Sequence, residues 1–254
     1  MMIPRSKNLL HPIRSYIHAR YPGWNLDAAL RYLPVADYLR DRRPRWTLDV
    51  GSGGAGLSRY ADQRVIEIDR LLPPGGPQVP SRTLRASASA LPFRDRSVQA
   101  VVCLDLLEHL PAEDRRGVLS ELLRVAGPHL VLGFPSGPEA ERAERALDRL
   151  HRRRSGYSHP WLGQHLAHGL PDSAAVAAEL RALAGSSGRR AQIREAGNVN
   201  LRLWFALYFL YLAGGPRARR AIGTTLLVLI PVLRHCHFGK TYRRILYVRL
   251  DADL

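Results

Sequence analysis

Residues 46–56 read WTLDVGSGGAG, a short apolar run that meets an acid and passes straight into a glycine-rich turn. Further apolar runs recur at similar intervals along the chain. RVIEID (64–69), LRA (84–86), QAVVCL (99–104) and HLVLGF (129–134) read as strands. GLSRYA (56–61) reads as a helix start, and 112–125 as a helix with Val118, Leu119, Leu122 and Leu123 on one side. Strands that alternate with helices pair in parallel through right-handed crossovers. RAQIRE (190–195) and RRILYVRL (243–250) supply a sixth and a seventh strand. The predicted fold is α/β, a three-layer sandwich around a doubly wound, mostly parallel seven-stranded sheet.

Other segments lie outside that rhythm. Residues 1–45 predict a helical extension, in which Asn25 caps a helix through Leu26, Leu30 and Leu33 and Pro34 kinks or divides it. Residues 139–154 read as a charged helix, 155–171 as a histidine-rich loop and 173–184 as an alanine-rich helix. Two apolar runs, 203–213 and 221–233, precede the last strand. The expected organisation is an extension over 1–45, an α/β domain over 46–200 and 241–254, and an apolar helical cap over 201–240.

The chemistry starts at the first turn. Gly51, Gly53 and Gly56 have G-x-G-x-x-G spacing, which suits a tight turn and close backbone approach to a ligand. By itself the spacing is weak. Asp49, two residues before Gly51, sharpens it. A dinucleotide must place a pyrophosphate at this turn, and a fixed carboxylate would repel it. The same carboxylate suits a ligand with an ammonium group and no phosphate, such as S-adenosylmethionine. Asp69, at the end of the second strand, stands where an acid accepts hydrogen bonds from ribose hydroxyls; its alternative role is a cap for the next segment.

With these residues the sequence resembles the class I S-adenosylmethionine-dependent methyltransferases, in particular the group with a type 11 methyltransferase domain. LDVGSGGAG (48–56), VIEID (65–69), ALPFRDRSV (90–98) and VVCLDLLEHLP (101–111) carry the likeness, in matching order and separation. The resemblance implies a Rossmann-like fold and S-adenosylmethionine as cofactor. It implies that Asp49, Gly51, Ser52 and Gly53 hold the methionine part, Asp69 the ribose, and Ser89, Ala90 and Leu91 the adenine. Leu104 and Asp105 would line the other side, with Glu108 and His109 near the substrate entrance. Ser87 and Gln99 stand where relatives often carry Asp.

Methyl transfer from a sulfonium is an in-line displacement that needs alignment, dryness and sometimes a base. His109 is the candidate base by position, against a structural role capping the next helix. Tyr157, His159, Trp161, His165 and His168 lie on the histidine-rich segment as substrate contacts or as a solvated loop. No cysteine or firm ligand spacing supports a metal there, so none is assigned.

Composition bears on the acceptor. The 254 residues carry a formal net charge of +16, almost all of the basic side chains being Arg. Nucleic acid, an anionic membrane surface and coding bias towards Arg each explain that balance. The only cysteines, Cys103 and Cys236, fit a reducing compartment, and Met1–Leu10 lacks the apolar stretch of a signal peptide. A cytoplasmic protein is expected. The runs at 203–213 and 221–233 are shorter than the ~20 residues of a bilayer span and are flanked by Arg217, Arg219, Arg220, Arg234, Arg243 and Arg244. That pattern suits peripheral contact with an anionic membrane, a lid over a greasy substrate, or buried cap helices. By analogy with the family, 1–45, 136–171 and 200–240 should build the acceptor site. The expectation is methyl transfer to a small-molecule or lipid-linked acceptor, of the glycolipid or polyprenyl type. An RNA methyltransferase is the alternative, disfavoured by the lack of an RNA-binding module and by scattered Arg. A non-catalytic or NAD-binding protein is a further alternative, disfavoured by Asp49. Oligomeric state is not legible.

Overall fold

A computed structural model describes residues 16, 19–54, 56–71, 82–215, 223 and 225–252. Arg217, Arg219 and Arg220 lie outside the described residues.

The seven strands are β1 (Thr47–Val50), β2 (Val65–Asp69), β3 (Thr83–Arg85), β4 (Val98–Leu104), β5 (Ala126–Pro135), β6 (Arg189–Asn200) and β7 (Thr241–Ala252). They form one sheet in the order β3-β2-β1-β4-β5-β7-β6. β1 to β5 pair in parallel, and β7 runs antiparallel between β5 and β6. The strand order reverses between β1 and β4, so a crevice opens beyond their carboxyl ends. Gly51, Asp69 and Asp105 all follow or end strands on that edge.

Apolar layers cover both faces. Leu48, Val50, Val101, Cys103, Leu130 and Leu132 meet Val118, Leu119 and Leu122 of α2 (Ala112–Val125) and Val176 and Leu180 of α5 (Ser173–Ser186). On the opposite face Ala100, Val102, Val131 and Ile245 meet Leu30, Leu33 and Leu39 of α1 (Leu26–Arg42) and Trp204 of α6 (Leu201–Ala213). This three-layer arrangement is the one the strand–helix alternation predicted.

Three local expectations are corrected. α1 runs on through Pro34, so the proline does not divide it. Proline removes the donor that would serve the carbonyl four residues back, Leu30. Asn198 replaces it: its Nδ2 donates to Leu30 O at 3.0 Å. The helix start at 56–61 is a single 3-10 turn, Leu57–Arg59, because the chain must reach β2 at Val65. The histidine-rich loop contains a helix, α4 (Pro160–His168), with Pro160 at its first turn and Gly169 closing it at φ 71°. It packs beside α3 (Pro138–Ser155), the predicted charged helix.

The insertion between β6 and β7 holds α6, a 3-10 turn over Leu226–Leu229 and the short α7 (Ile230–Leu233). Among the described residues no helix is long and apolar enough to cross a membrane.

Candidate active site

The glycine turn is built around two carboxylates. Asp49 leaves β1 fully buried, and its Oδ2 accepts from the Leu57 N–H at 2.7 Å. A Cβ on Gly56 would lie 2.0 Å from that oxygen, so glycine is required there for the carboxylate to fit. Burial raises the Asp49 pKa to about 7, and nearby Glu67 adds to the effect. Asp69 reaches across the turn: its Oδ2 accepts from Gly53 N at 2.8 Å and its Oδ1 from Leu71 N at 2.8 Å. Each carboxylate oxygen keeps a further lone pair for a ligand hydroxyl.

A cavity of about 550 Å³ opens beyond β1, β2 and β4. Gly51, Asp69, Ser87, Ser89, Leu106, His109 and Gln164 are on its wall. Gly51 has φ +81°, and a Cβ there would press on the Leu106 side chain at 3.2 Å. Asp69, Glu113 and Asp114 face a single guanidinium, Arg70, so the lining is acidic. The three-residue turn after the glycines offers no α-helix N-terminus to a pyrophosphate. Such a lining fits a cationic ligand that has a ribose and no phosphate.

Not all the expected cofactor residues reach this wall. Gly51, Asp69 and Ser89 do. Asp49 lies buried behind the turn, Ser52 is 6% exposed with its Oγ turned to Gly54 N, and Gly53 contributes its N–H to Asp69. Leu104 is packed in the core, and Leu91 is buried with its N–H on Glu121. Ala90 is exposed beside Leu91 and is not on the wall. Ser87, which stands where relatives often carry Asp, lines the cavity, and its Oγ sits 2.9 Å from Ser89 Oγ.

Asp105 turns elsewhere. It has φ +53°, a left-handed conformation that Asp tolerates better than most residues. Its carboxylate takes two hydrogen bonds from Arg243, at 2.6 and 2.5 Å, and one from Arg31 at 2.9 Å. Burial would raise its pKa, but the two guanidiniums outweigh burial and hold it well below the usual carboxylate range. Arg243 is 1% exposed and also donates to Asn198 Oδ1 at 3.0 Å. Sequence reading missed Arg31 and placed Arg243 among the arginines flanking the apolar runs; Arg243 is instead buried on Asp105, 138 residues away, and Arg31 lies 74 residues away.

These groups wall a polar chamber of about 140 Å³ with Asp27, Glu108, His109, Trp161, His165 and Tyr208. His109 is on the wall of both the chamber and the large cavity. Its Nδ1 is 2.8 Å from Gln164 Oε1 and its Nε2 3.4 Å from His165 Nε2. Burial, helped by His165, lowers the His109 pKa, so the ring is neutral near neutrality. Glu144 accepts from His165 Nδ1 at 2.9 Å and from the Tyr242 hydroxyl at 2.5 Å.

The chamber adjoins an apolar pocket of about 250 Å³ between α1, α4 and α6. Asp27, Trp161 and Tyr208 belong to both walls, and Leu30, His159, Trp204 and Leu207 line the far part. Of the expected substrate residues, Glu108, His109, His159, Trp161 and His165 meet here. Tyr157 does not: it is 61% exposed and packs edge-on to His151.

Residues 48–132 match the model of the methyltransferase domain family of type 11. The chain carries a class I S-adenosylmethionine-dependent methyltransferase domain. It is a methyltransferase, and S-adenosylmethionine is its cofactor. No curated protein matches the chain. Among solved structures it is similar to the plantazolicin methyltransferase in complex with SAH, at 12% identity over 96% of this chain and 91% of that one, with a TM-score of 0.50. A SAM-dependent methyltransferase from Archaeoglobus fulgidus is 14% identical over 92% of this chain and 98% of that one, with a TM-score of 0.47. Magnesium protoporphyrin IX methyltransferase from Synechocystis is 15% identical over 95% and 87%, with a TM-score of 0.46. At such identities the likeness is one of fold.

Proposed function

We propose that this methyltransferase modifies a small-molecule or lipid-linked acceptor whose apolar body lies between α1, α4 and α6 and whose reacting atom lies in the polar chamber. The observation that supports the reading is the adjacency of the three spaces, which share wall residues. The cofactor cavity shares His109 with the chamber, and the chamber shares Asp27, Trp161 and Tyr208 with the apolar pocket. Bound in the cavity, the cofactor supplies an electrophilic methyl group.

The chain's own residues supply the rest. Asp69 holds the ribose, while Gly51 lets the backbone come close. The apolar walls exclude water from the acceptor and orient it. Among the described residues the buried indole Nε1 of Trp204 has no hydrogen-bond partner, which suits an acceptor molecule with an oxygen along its body. His109, on the wall that the cavity and the chamber share, faces the reacting atom.

The reading extends to peripheral membrane contact. Phe209, Leu210 and Tyr211 on α6 and Val228, Leu229, Val232 and Phe238 beyond it are exposed. An acceptor drawn from a lipid surface would enter beside them, since Tyr211 is also on the apolar pocket's wall.

Incubation with methyl-labelled S-adenosylmethionine and fractionated cell extract tests the acceptor class. Label in the organic or small-molecule fraction is expected. Label in the RNA fraction alone would replace this reading with the nucleic-acid one.

A further inference from the structure

His109 and His165 face one another in a way that hydrogen bonding alone does not satisfy. Their Nε2 atoms are 3.4 Å apart, with the rings at 68°. The other nitrogen of each ring is already committed. His109 Nδ1 meets the Gln164 amide oxygen at 2.8 Å, and His165 Nδ1 meets the Glu144 carboxylate at 2.9 Å. Both of those partners accept, so both Nδ1 atoms carry the proton in neutral rings. Two bare Nε2 lone pairs then point into one gap, and neither can donate to the other.

Glu108 completes the gap. It is fully buried, and among the described residues neither of its carboxylate oxygens has a hydrogen-bond partner on another residue. One ligand atom from each of Glu108, His109 and His165 lies within 4.8 Å of the other two. Three groups that can each give an electron pair to a metal therefore surround one space. A buried ionised carboxylate is costly unless a proton or a cation meets it.

We propose that Glu108, His109 and His165 bind one divalent transition-metal cation, of the zinc, cobalt or manganese class. Two imidazoles and a carboxylate are a donor set these metals accept. The spacing fits: with metal–nitrogen bonds of about 2.1 Å, nitrogens 3.4 Å apart subtend an angle of about 110°, close to tetrahedral. The outer partners fit too. A metal-bound histidine generally donates its second N–H to a carboxylate or amide oxygen, as His165 does to Glu144 and His109 to Gln164. The Tyr242 hydroxyl orients Glu144 in turn.

Three protein ligands leave a position free on the side of the polar chamber. Resting on the acceptor site proposed above, this position would take a hydroxyl oxygen of the acceptor. Coordination would lower the pKa of a bound hydroxyl, whose proton leaves to solvent; the oxygen's electron pair would form the new O–CH3 bond as the S–CH3 bond breaks and its pair stays on the sulfur of S-adenosylhomocysteine. The acceptor class narrows to an alcohol or phenol with an apolar body.

Metal binding is measured on the full-length protein after chelation and dialysis, by titration with cobalt(II) followed by visible absorption and by competition with zinc. One equivalent of cobalt with the intense visible bands of a tetrahedral site is expected. Separate His109→Ala, His165→Ala and Glu108→Gln variants should each weaken binding by about 10-fold or more, the first two abolishing the bands. His168→Ala, on the same helix as His165 but outside the cluster, should bind as the parent does. A cooperative thermal melt of each variant shows that it is folded. Absence of stoichiometric cobalt binding in the parent, or binding unchanged in folded histidine variants, overturns the metal site. Methyl transfer that proceeds at full rate in the chelated protein also overturns it while leaving the acceptor reading intact. Stoichiometric binding with label found only in RNA overturns the acceptor reading and leaves the metal site.

Discussion

The side-chain amide of Asn198 donates a 3.0 Å hydrogen bond to the carbonyl oxygen of Leu30, the acceptor that Pro34 leaves without a helical donor. The same side chain accepts from Arg243 through Oδ1. One residue of β6 thus repairs α1 and steadies the guanidinium that grips Asp105. Asn198→Ala should lower the unfolding free energy by about 2–4 kcal/mol, because it strands a buried carbonyl and a buried N–H together. In a Pro34→Ala background the helix regains its own donor. The cost of losing Asn198 should then shrink by about 1 kcal/mol in a double-mutant cycle read by urea denaturation. Strict additivity would refute the repair.

Asp69 carries the ribose assignment. Asp69→Ala should weaken S-adenosylmethionine binding about 10–100-fold by calorimetry, the worth of hydrogen bonds to a charged acceptor. Asp69→Asn should fall between. An unchanged affinity in either variant would leave Asp69 as a cap for Gly53 and Leu71 alone.

Asp49 makes a pH-dependent prediction. Its folded pKa of about 7 lies above the ~3.9 of an aspartate in an unfolded chain. The folded protein therefore keeps a proton that the unfolded chain releases. The stability this adds is complete below pH ~4 and is lost as pH rises through 7. Asp49→Asn, which imitates the protonated form, should be more stable than the parent at pH 8 by up to about 4 kcal/mol. The gap should close towards pH 4 in thermal melts. The same variant should bind the cofactor less well, since it loses the negative charge behind the turn. Parallel pH–stability curves for the two proteins would rule out the buried-proton account.

The exposed apolar side chains predict a surface behaviour. The full chain should float with vesicles that contain anionic lipid, and less so at high salt. Replacing Phe209, Val232 and Phe238 with Ser should reduce flotation while leaving the melting temperature near the parent value, because these positions are 41, 66 and 70% exposed. Failure of the parent to float would remove membrane contact from the functional reading.

Legibility in the sequence tracks separation along the chain. The turn at Gly51, the acid Asp69 ending β2 and the cap at Asn25 depend on neighbours a few residues away, and all are found as read. The stretch at 155–171 reads as a loop because its glycines, prolines and histidines break any apolar period. It contains a helix, since Leu162 and His165 gain burial against α3 and the turn at Leu107–His109. Pro34 misleads for the same reason: the donor that keeps the helix intact comes from 168 residues away.

The sequence by itself determined the layering of the fold, the glycine turn and the cofactor class, because these depend on local periodicity, on the conformations glycine permits and on the sign of two nearby acids. Only the tertiary structure decided what stands opposite them. It brought Arg31 and Arg243 onto Asp105, put His165 against His109, 56 residues earlier, and set a polar chamber between the acidic cavity and an aromatic pocket. Those contacts arise where separate elements cross the carboxyl edge of the sheet. Their energy depends on burial and mutual orientation, quantities that no single segment of the chain possesses until the others have folded around it.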